Sequence, residues 1–558
     1  MTVGSGQRTG RPIVVDSTTT PRRLVLRTIL AGRGYALGAA VLAVLHQLGE
    51  GLVPVIMGLA IDRALATSDL GQLLFWIALL AVDFAVLSFS YRFGSRIGEF
   101  GLQVVQHQLR GRVTDRLLDP AGDASARGRL PGEALSVATA DVNRLSLAVL
   151  LAIYPVGELA AVIFAGIVLL VLCWPLGLAV LIGAPLMLLL LDRAGGPLRR
   201  RSESEQALAA AASGRAADLV TGYRVLRGLR AERTAAERYR QVSREALAGT
   251  LHARRAFGGY LGAMSGVSTI FVAAIAVAAG LFALSGRLSV GGLITVVGLT
   301  QFIIGPLRMF AANVGPIWAS AQASAARVLA VLTAPPVPHG SRTVAAAGTP
   351  GSVGFTGAVV ETLGPLDLRI EAGEFVAIRC GGAEAAELVE LLGARRAPEA
   401  GRLTYQDVSV TDYPPEAIRA EILLAPHAAD LFEGTVLDNL GLSGPNDDHE
   451  VRAGRVLDQA GAADLVDVLP DGVRTAVGEA GTRLSGGQRQ RVALARALAR
   501  DAPVLVLHDP TTAVDSVTEA EIARRVRAAR PGRTTIVITT APAWLSVVDR
   551  VIDLGAKP

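Results

Sequence analysis

Arg483-Leu484-Ser485-Gly486-Gly487-Gln488-Arg489-Gln490-Arg491 runs straight into Val492-Ala493-Leu494-Ala495-Arg496-Ala497-Leu498. The adjacent glycines let a backbone approach a ligand closely, and Ser485 adds a hydroxyl. An alanine-rich helix after Gly487 turns its unpaired N–H groups and positive dipole end toward the same point, which makes an anion site. Working outward, 558 residues suffice for two or three domains. A mean hydropathy of +0.43 is too apolar for an ordinary soluble protein. The net charge of +5 rests on arginine, since Lys557 is the only lysine. This basic balance fits the cytoplasmic loops of a membrane protein. It does not fit nucleic-acid binding, which calls for a compact basic stripe with interleaved aromatics. Cys173 and Cys380 stand in unrelated contexts, so neither a disulfide framework nor a thiolate metal site is expected.

Apolar stretches long enough to cross about 30 Å of hydrocarbon fall near 35–61, 72–91, 146–173, 175–191, 259–286 and 293–312. They predict six helices, the third and fourth joined by a tight turn at Trp174-Pro175. Arginines crowd the segments 92–116 and 193–201, whereas the opposite loops hold Arg63 and Arg287. The positive-inside rule then puts both termini in the cytoplasm. Two inner segments, roughly 92–145 and 192–258, far exceed the outer turns and read as helices continuing beyond the bilayer. His46 and Glu50, four apart on one helix face, Asp83 and Glu158 sit where lipid is expected. Intramembrane ionisable groups face a cavity or a partner. Two readings stay open: a pocket for a cationic or polar substrate, or interhelical hydrogen bonds with protonated carboxyls.

Ala334-Pro335-Pro336-Val337-Pro338 ends the last long helix, and beyond about 350 short Val/Ile/Leu strands alternate with helices, the pattern of an α/β nucleotide-binding domain. The order of motifs in this half is specific. Leu431-Phe432-Glu433-Gly434-Thr435-Val436 is followed by Thr475-Ala476-Val477-Gly478-Glu479-Ala480-Gly481, then by Leu484–Gln488 and Thr512-Ala513-Val514-Asp515. Leu-Ser-Gly-Gly-Gln followed by Arg-Gln-Arg resembles the signature of ATP-binding cassette (ABC) transporters. The stretch around Glu479 resembles the X-loop of the exporter (type IV) branch, and that around Asp515 resembles the D-loop. The resemblance covers about 22–555. It implies a six-helix all-α transmembrane domain with long intracellular helical extensions, fused to a C-terminal α/β ABC-type nucleotide-binding domain. The expected divisions are a disordered segment 1–21, a transmembrane domain 22–333, a linker 334–350 and a nucleotide-binding domain 351–558. In this family, short transverse helices couple the two domains; they are expected near 118–127 and 213–221.

The departures from the family are as informative as the matches. A P-loop, G-x-x-x-x-G-K-[ST], cradles phosphates on backbone N–H groups, neutralises them with lysine and holds Mg²⁺ through a hydroxyl. After Phe375-Val376-Ala377-Ile378 this chain reads Arg379-Cys380-Gly381-Gly382-Ala383-Glu384-Ala385-Ala386-Glu387-Leu388. Ala386 falls at the lysine position and Glu387 at the hydroxyl position. Glu384, Glu387 and Glu390 occupy the first turns of the following helix and would repel a triphosphate. The Walker B strand Val504–Leu507 ends in His508-Asp509 where the family has Asp-Glu; imidazole is a poor Mg²⁺ ligand. His427 replaces the Q-loop glutamine, and Thr540 falls at the switch histidine. Between Phe355 and Phe375 there is no aromatic residue to stack on adenine.

The family's cassettes pair head to tail, each ATP lying between one P-loop and the opposite signature. The resemblance therefore implies the non-catalytic half of a heterodimeric transporter, with export favoured; the Ala- and Arg-rich, Lys-poor composition points to a GC-rich bacterial genome and hence to a plasma-membrane location. Its partner would be a second half-transporter carrying intact Walker A, Walker B, catalytic glutamate and switch histidine. ATP and Mg²⁺ would be bound mainly by that partner and by no site of this chain alone; no other metal and no nucleic acid is expected. Leu484, Ser485, Gly486, Gly487 and Gln488 would contact the partner's ATP. Two alternatives are an importer of the same fold, as in siderophore uptake, and a non-transporting regulatory or receptor subunit.

Overall fold

The computed structural model describes residues 12–16, 18–119, 121, 131–194, 196–337, 339–342, 351–359, 364–428, 430–442 and 448–554. The chain forms two compact units, Met1–Val113 with Gly132–Thr333 and Thr114–Pro131 with Ala334–Pro558.

The first unit is built from the helices Arg33–Ala60, Leu70–Leu117, Tyr154–Ala194, Gly196–Thr221, Glu232–Leu284 and Val290–Leu332. Apolar windows in five helical stretches, 33–65, 70–117, 132–190, 232–284 and 290–332, are long enough to span a membrane. The Leu70–Leu117 helix has 48 residues, or about 72 Å at 1.5 Å per residue, far more than the roughly 30 Å of bilayer hydrocarbon. Its Leu70–Phe89 portion leaves Leu74, Phe75, Ile77, Val82 and Phe84 exposed, as a lipid-facing surface does. The Tyr154–Ala194 stretch breaks at Cys173 (φ −157°, ψ 90°). A Cβ on Gly177 would lie 2.7 Å from Leu170 N, and one on Gly166 would lie 3.0 Å from Leu181. In one straight helix residues 166 and 181 would be about 22 Å apart, so the chain doubles back at Trp174-Pro175.

Glycine permits the closest helix crossing. A Cβ at Gly291 would fall 2.0 Å from Gly58 O, so Arg33–Ala60 and Val290–Leu332 meet backbone to backbone there. Asp62 fastens the same corner, accepting from Gly291 N at 2.8 Å and Ser289 Oγ at 2.5 Å. At the other end Asp141, 2% exposed, accepts from Arg327 Nε at 2.7 Å and Ser324 Oγ at 3.0 Å. Arg327→Ala removes both guanidinium donors from that carboxylate, leaving Ser324 Oγ and, at 3.9 Å, Arg144 Nη1. The loss should be about 3 kcal/mol, the low end of the range for an orphaned buried charge, because Ser324 still donates. A thermal melt of the detergent-solubilised chain measures it, and an unchanged midpoint would show that Asp141 does not depend on Arg327.

Two expectations are corrected here. The segment 1–21 is not disordered throughout. Ile13 is 2% exposed in the core, and Arg27 donates to Val14 O at 2.6 Å and pairs with Asp16. Hydroxyl donors on Thr18 and Thr19 hold the Asp16 carboxyl down to about 2. Ile13, with Val15 packed against the same cluster, supplies the burial that the polar composition obscured. Second, 213–221 is not a separate short helix. It continues Gly196–Thr221, the break comes at Gly222, and the short element is Tyr223–Gly228. The alanine-rich 207–217 carries the helix straight through Gly214, and it ends at Thr221 before Gly222. The other expected transverse helix, 118–127, lies mostly outside the described residues, as do residues 1–11 and 343–350.

In the second unit, β1 (Val353–Val359), β2 (Leu366–Ile370), β4 (Ala400–Tyr405) and β5 (Val408–Ser409) form an antiparallel sheet in the order β2-β1-β4-β5. A parallel sheet runs β6-β7-β8-β3-β9, from β3 (Phe375–Arg379), β6 (Ile422–Ala425), β7 (Val504–His508), β8 (Thr534–Ile538) and β9 (Arg550–Asp553). Phe375–Ile378, Val504–Leu507 and Thr534–Ile538 are buried throughout, as strands covered on both faces must be. Within this unit Arg116 Nη2 donates to Ala334 O at 2.6 Å and Val337 N to Ala121 O at 3.1 Å.

Candidate functional site

Parallel register decides which loops meet. Ile538 pairs with Ile378 on one side and His508 on the other. Cys380, Asp509 and Thr539 therefore leave the sheet along one edge, where open α/β sheets hold ligands.

At that edge the helix after β3 starts at Gly382, with Gly381 as a cap that offers no side chain. Residues 382–385 would have to form the loop of a phosphate cradle; instead they make the first helical turn, and Ala385 N donates to Gly381 O at 2.9 Å. Glu384 folds back so far that a Cβ on Gly381 would lie 2.5 Å from its Oε2. Burial first, then the nearby Glu384 and Asp509 carboxylates, push the Cys380 thiol up to about 11. Ala386 is exposed and Glu387 half-buried. With Ala385 N bonded back into the helix, a carboxylate over the helix start and no lysine, these residues do not fit a triphosphate.

The neighbouring loops are self-contained too. Asp509, at a left-handed φ of 42°, accepts from Thr539 Oγ1 at 2.7 Å, and its own N–H donates to Ile538 O. His508 Nε2 lies 3.8 Å from Asp509 Oδ2, and the His508 and His427 rings are 5.7 Å apart. Burial pushes the His508 imidazole below its ordinary value, against the opposing pull of Asp509. It therefore sits neutral at neutral pH, where a Mg²⁺ site needs hard anionic oxygen. Thr540 is exposed, and Thr539 beside it makes the contact to Asp509.

The signature is built differently. Leu484 is 6% exposed and anchors the loop, whereas Ser485 is exposed and Gly486, Gly487 and Gln488 are half-buried. Ser485 caps the Gly486–Ala499 helix: its Oγ accepts from Gln488 N at 3.3 Å, and Gln488 Oε1 accepts from Ser485 N at 2.8 Å. The helix's first amides, those of Gly486 and Gly487, have no intrahelical acceptor. Gln490 ties this helix to the next loop, donating to Thr512 Oγ1 at 2.8 Å and accepting from Ala513 N at 2.7 Å. A Cβ on Gly487 would lie 2.9 Å from Ala513 O, so only glycine fits. Asp515 caps Ser516–Ala529, and bonds from Val517 and Thr518 hold its carboxyl below the usual range. Glu479 is exposed on a loop with left-handed Gly478, Ala480 and Gly481, pinned by Val477 N to Gly434 O at 2.8 Å.

Two family models match this chain: the ABC transporter transmembrane region over residues 37–307 and the ABC transporter model over 363–512. The chain is a half-subunit of the ABC transporters, with the exporter fold. It is 27% identical over 432 residues to the ATP-dependent lipid A-core flippase of Xanthomonas axonopodis pv. citri, covering 76% of this chain and 72% of the flippase. It is 29% identical over 559 residues to the mycobactin import ATP-binding/permease protein IrtB of Mycolicibacterium thermoresistibile, covering 96% of this chain and 93% of that protein. A bacterial Atm1-family ABC exporter with ATP bound shares its fold, with a TM-score of 0.72 at 22% identity over 94% of each chain.

Within the membrane unit of this half-transporter, His46, Glu50 and Glu158 line one cavity of 570 Å³. Asp83 does not line it. Asp83 is 9% exposed and packs against the backbone of Gly49, where a Cβ would come within 3.2 Å of Oδ1. Sequence reasoning missed Thr539 and Gln490, whose roles come from neighbouring strands and loops. It also missed Tyr91 and Tyr154 of the cavity, which read as ordinary aromatics near the ends of apolar runs.

Proposed function

We propose that this chain is the non-catalytic half of a heterodimeric ATP-driven transporter, lending its signature to an ATP site whose P-loop belongs to a second half-transporter. One observation carries the reading. The signature helix presents Ser485 and two helix-start amides outward, while the helix after β3 begins at Gly382 with the Glu384 carboxylate folded back over its start and no lysine beside it. A homodimer of such chains would have two signatures and no phosphate cradle. ATP and Mg²⁺ are held by the partner; this chain's Ser485 hydroxyl and Gly486 and Gly487 amides face the terminal phosphate as donors. Counting the two arms of the 154–194 hairpin separately gives six spans, and the arginine-rich inner segments put both termini in the cytoplasm of a bacterium. The transmembrane domain is taken as 22–333, the linker as 334–350 and the cassette as 351–558.

The test is photolabelling with the γ-phosphate azidoanilide of ATP and Mg²⁺ on the complex purified from native membranes. Label is expected on the co-purifying half-transporter, at its P-loop, and on this chain only near Ser485. Label within 375–392 of this chain would overturn the reading. Export is favoured by the fold. Import through the same architecture is the second reading, favoured by the match along nearly the whole chain to a mycobactin importer. ATP-dependent accumulation in, or loss from, inside-out vesicles separates the two directions.

A further inference from the structure

The 570 Å³ cavity lies between the Arg33–Ala60, Leu70–Leu117, Tyr154–Ala194 and Val290–Leu332 helices, a volume ordinary for a drug-sized ligand. Two carboxylates line it. Glu158 is 7% exposed, and among the described residues its Oε2 has no hydrogen-bond partner. An unpaired carboxylate oxygen at this depth is costly unless something occasionally satisfies it. Glu50 keeps half its side chain exposed, with His46 Nε2 4.0 Å from its Oε2. From its other ring nitrogen, Nδ1, His46 reaches Leu87 O, an acceptor only, at 3.1 Å.

The rest of the lining mixes aromatic and apolar side chains with the neutral polar Gln47, Ser90, Ser95 and Asn313. The Tyr91 ring lies against His46 at 5.2 Å, and Tyr154 joins it as a second exposed aromatic. Leu151, Met309 and Ile317 supply apolar wall. Among the described residues no arginine lines this cavity, and Arg308 lines the neighbouring one with Gln301 and Ser265. Carboxylates, aromatic faces and aliphatic wall together suit a positive charge carried on an apolar body.

We propose that this cavity is a binding site for amphipathic organic cations, with Glu158 and Glu50 as counter-charges and Tyr91 and Tyr154 as the aromatic faces. The proposal rests on the transporter reading and names the substrate class for it. The test is equilibrium binding to the full chain in lipid nanodiscs, without nucleotide, using radiolabelled tetraphenylphosphonium and the anion tetraphenylborate, which has the same shape and opposite charge. Saturable phosphonium binding is expected, displaced by unlabelled phosphonium and not by tetraphenylborate. Glu158→Gln and Glu50→Gln should each weaken it by about tenfold or more. Equal binding of both probes, or full phosphonium affinity in Glu158→Gln, overturns the proposal. Should a variant fail to fold, the comparison of the two probes on the unmodified chain still decides. The assay uses no ATP. Photolabelling of this chain's own P-loop would therefore sink the heterodimer reading while leaving cation binding standing, and absent phosphonium binding would sink only the cation site.

Discussion

Replacing Ser485 with aspartate is expected to lower the ATPase of the heterodimer by about 100–1,000-fold, the usual consequence of losing one preorganised charge-stabilising contact, while leaving the fold intact. Ser485 has two separable roles. Within its own chain it caps the Gly486–Ala499 helix through Gln488 N, and aspartate caps as well as serine does. Its negative charge also suits a helix start. Toward the partner, the same charge meets a phosphate. Ser485→Ala should behave in the opposite sense, losing about 1 kcal/mol of stability with the cap and retaining more activity, because the glycine amides remain. Thermal melts and phosphate release on the same preparations separate the two effects. Near-normal ATPase in the aspartate variant would mean that the signature is a structural cap alone, and would favour a regulatory subunit. Gly487→Asp is the poorer test, since any Cβ there would press on Ala513 O at 2.9 Å.

Restoring the two missing P-loop side chains, Ala386→Lys with Glu387→Ser, is expected to leave this chain without measurable Mg²⁺-ATP binding. Lysine attracts phosphate only where backbone amides converge to receive it. Here the helix has already begun at Gly382, four residues before Ala386, and Glu384 covers its start. His508 and Asp509 add no carboxylate pair free for Mg²⁺, because Asp509 is engaged by Thr539. Isothermal titration of the double variant decides the matter. Sub-millimolar binding would show that the loop re-forms once lysine is present, and that the early helix start follows from those two side chains alone.

Much of this organisation was legible without coordinates. The apolar runs marked the membrane helices because burial in lipid demands long uninterrupted hydrophobicity. Trp174-Pro175 marked the reversal of the 154–194 hairpin. The all-buried strands Phe375–Ile378 and Val504–Leu507 announced a parallel sheet through their unbroken Val/Ile/Leu content. The signature was readable because its chemistry is local: the hydroxyl, two glycines and the helix they open lie within five residues.

What the sequence by itself determined was the membrane and cassette halves, the intact signature and the missing lysine, all properties of contiguous residues. Tertiary structure alone decided where the helix after β3 begins, because Gly381 and Gly382 permit either a loop or a helical turn, and in the folded chain Ala385 of that turn is buried in the core. It decided that Thr539 engages Asp509, which requires the register of two strands thirty residues apart. It drew Ile13 into the core through Arg27, and it admitted His46, Glu50 and Glu158 to one cavity while turning Asp83 against Gly49. The reason is common to all of these. A side chain's partner across helices or strands is set by crossing geometry and close packing, which no local pattern of residues encodes.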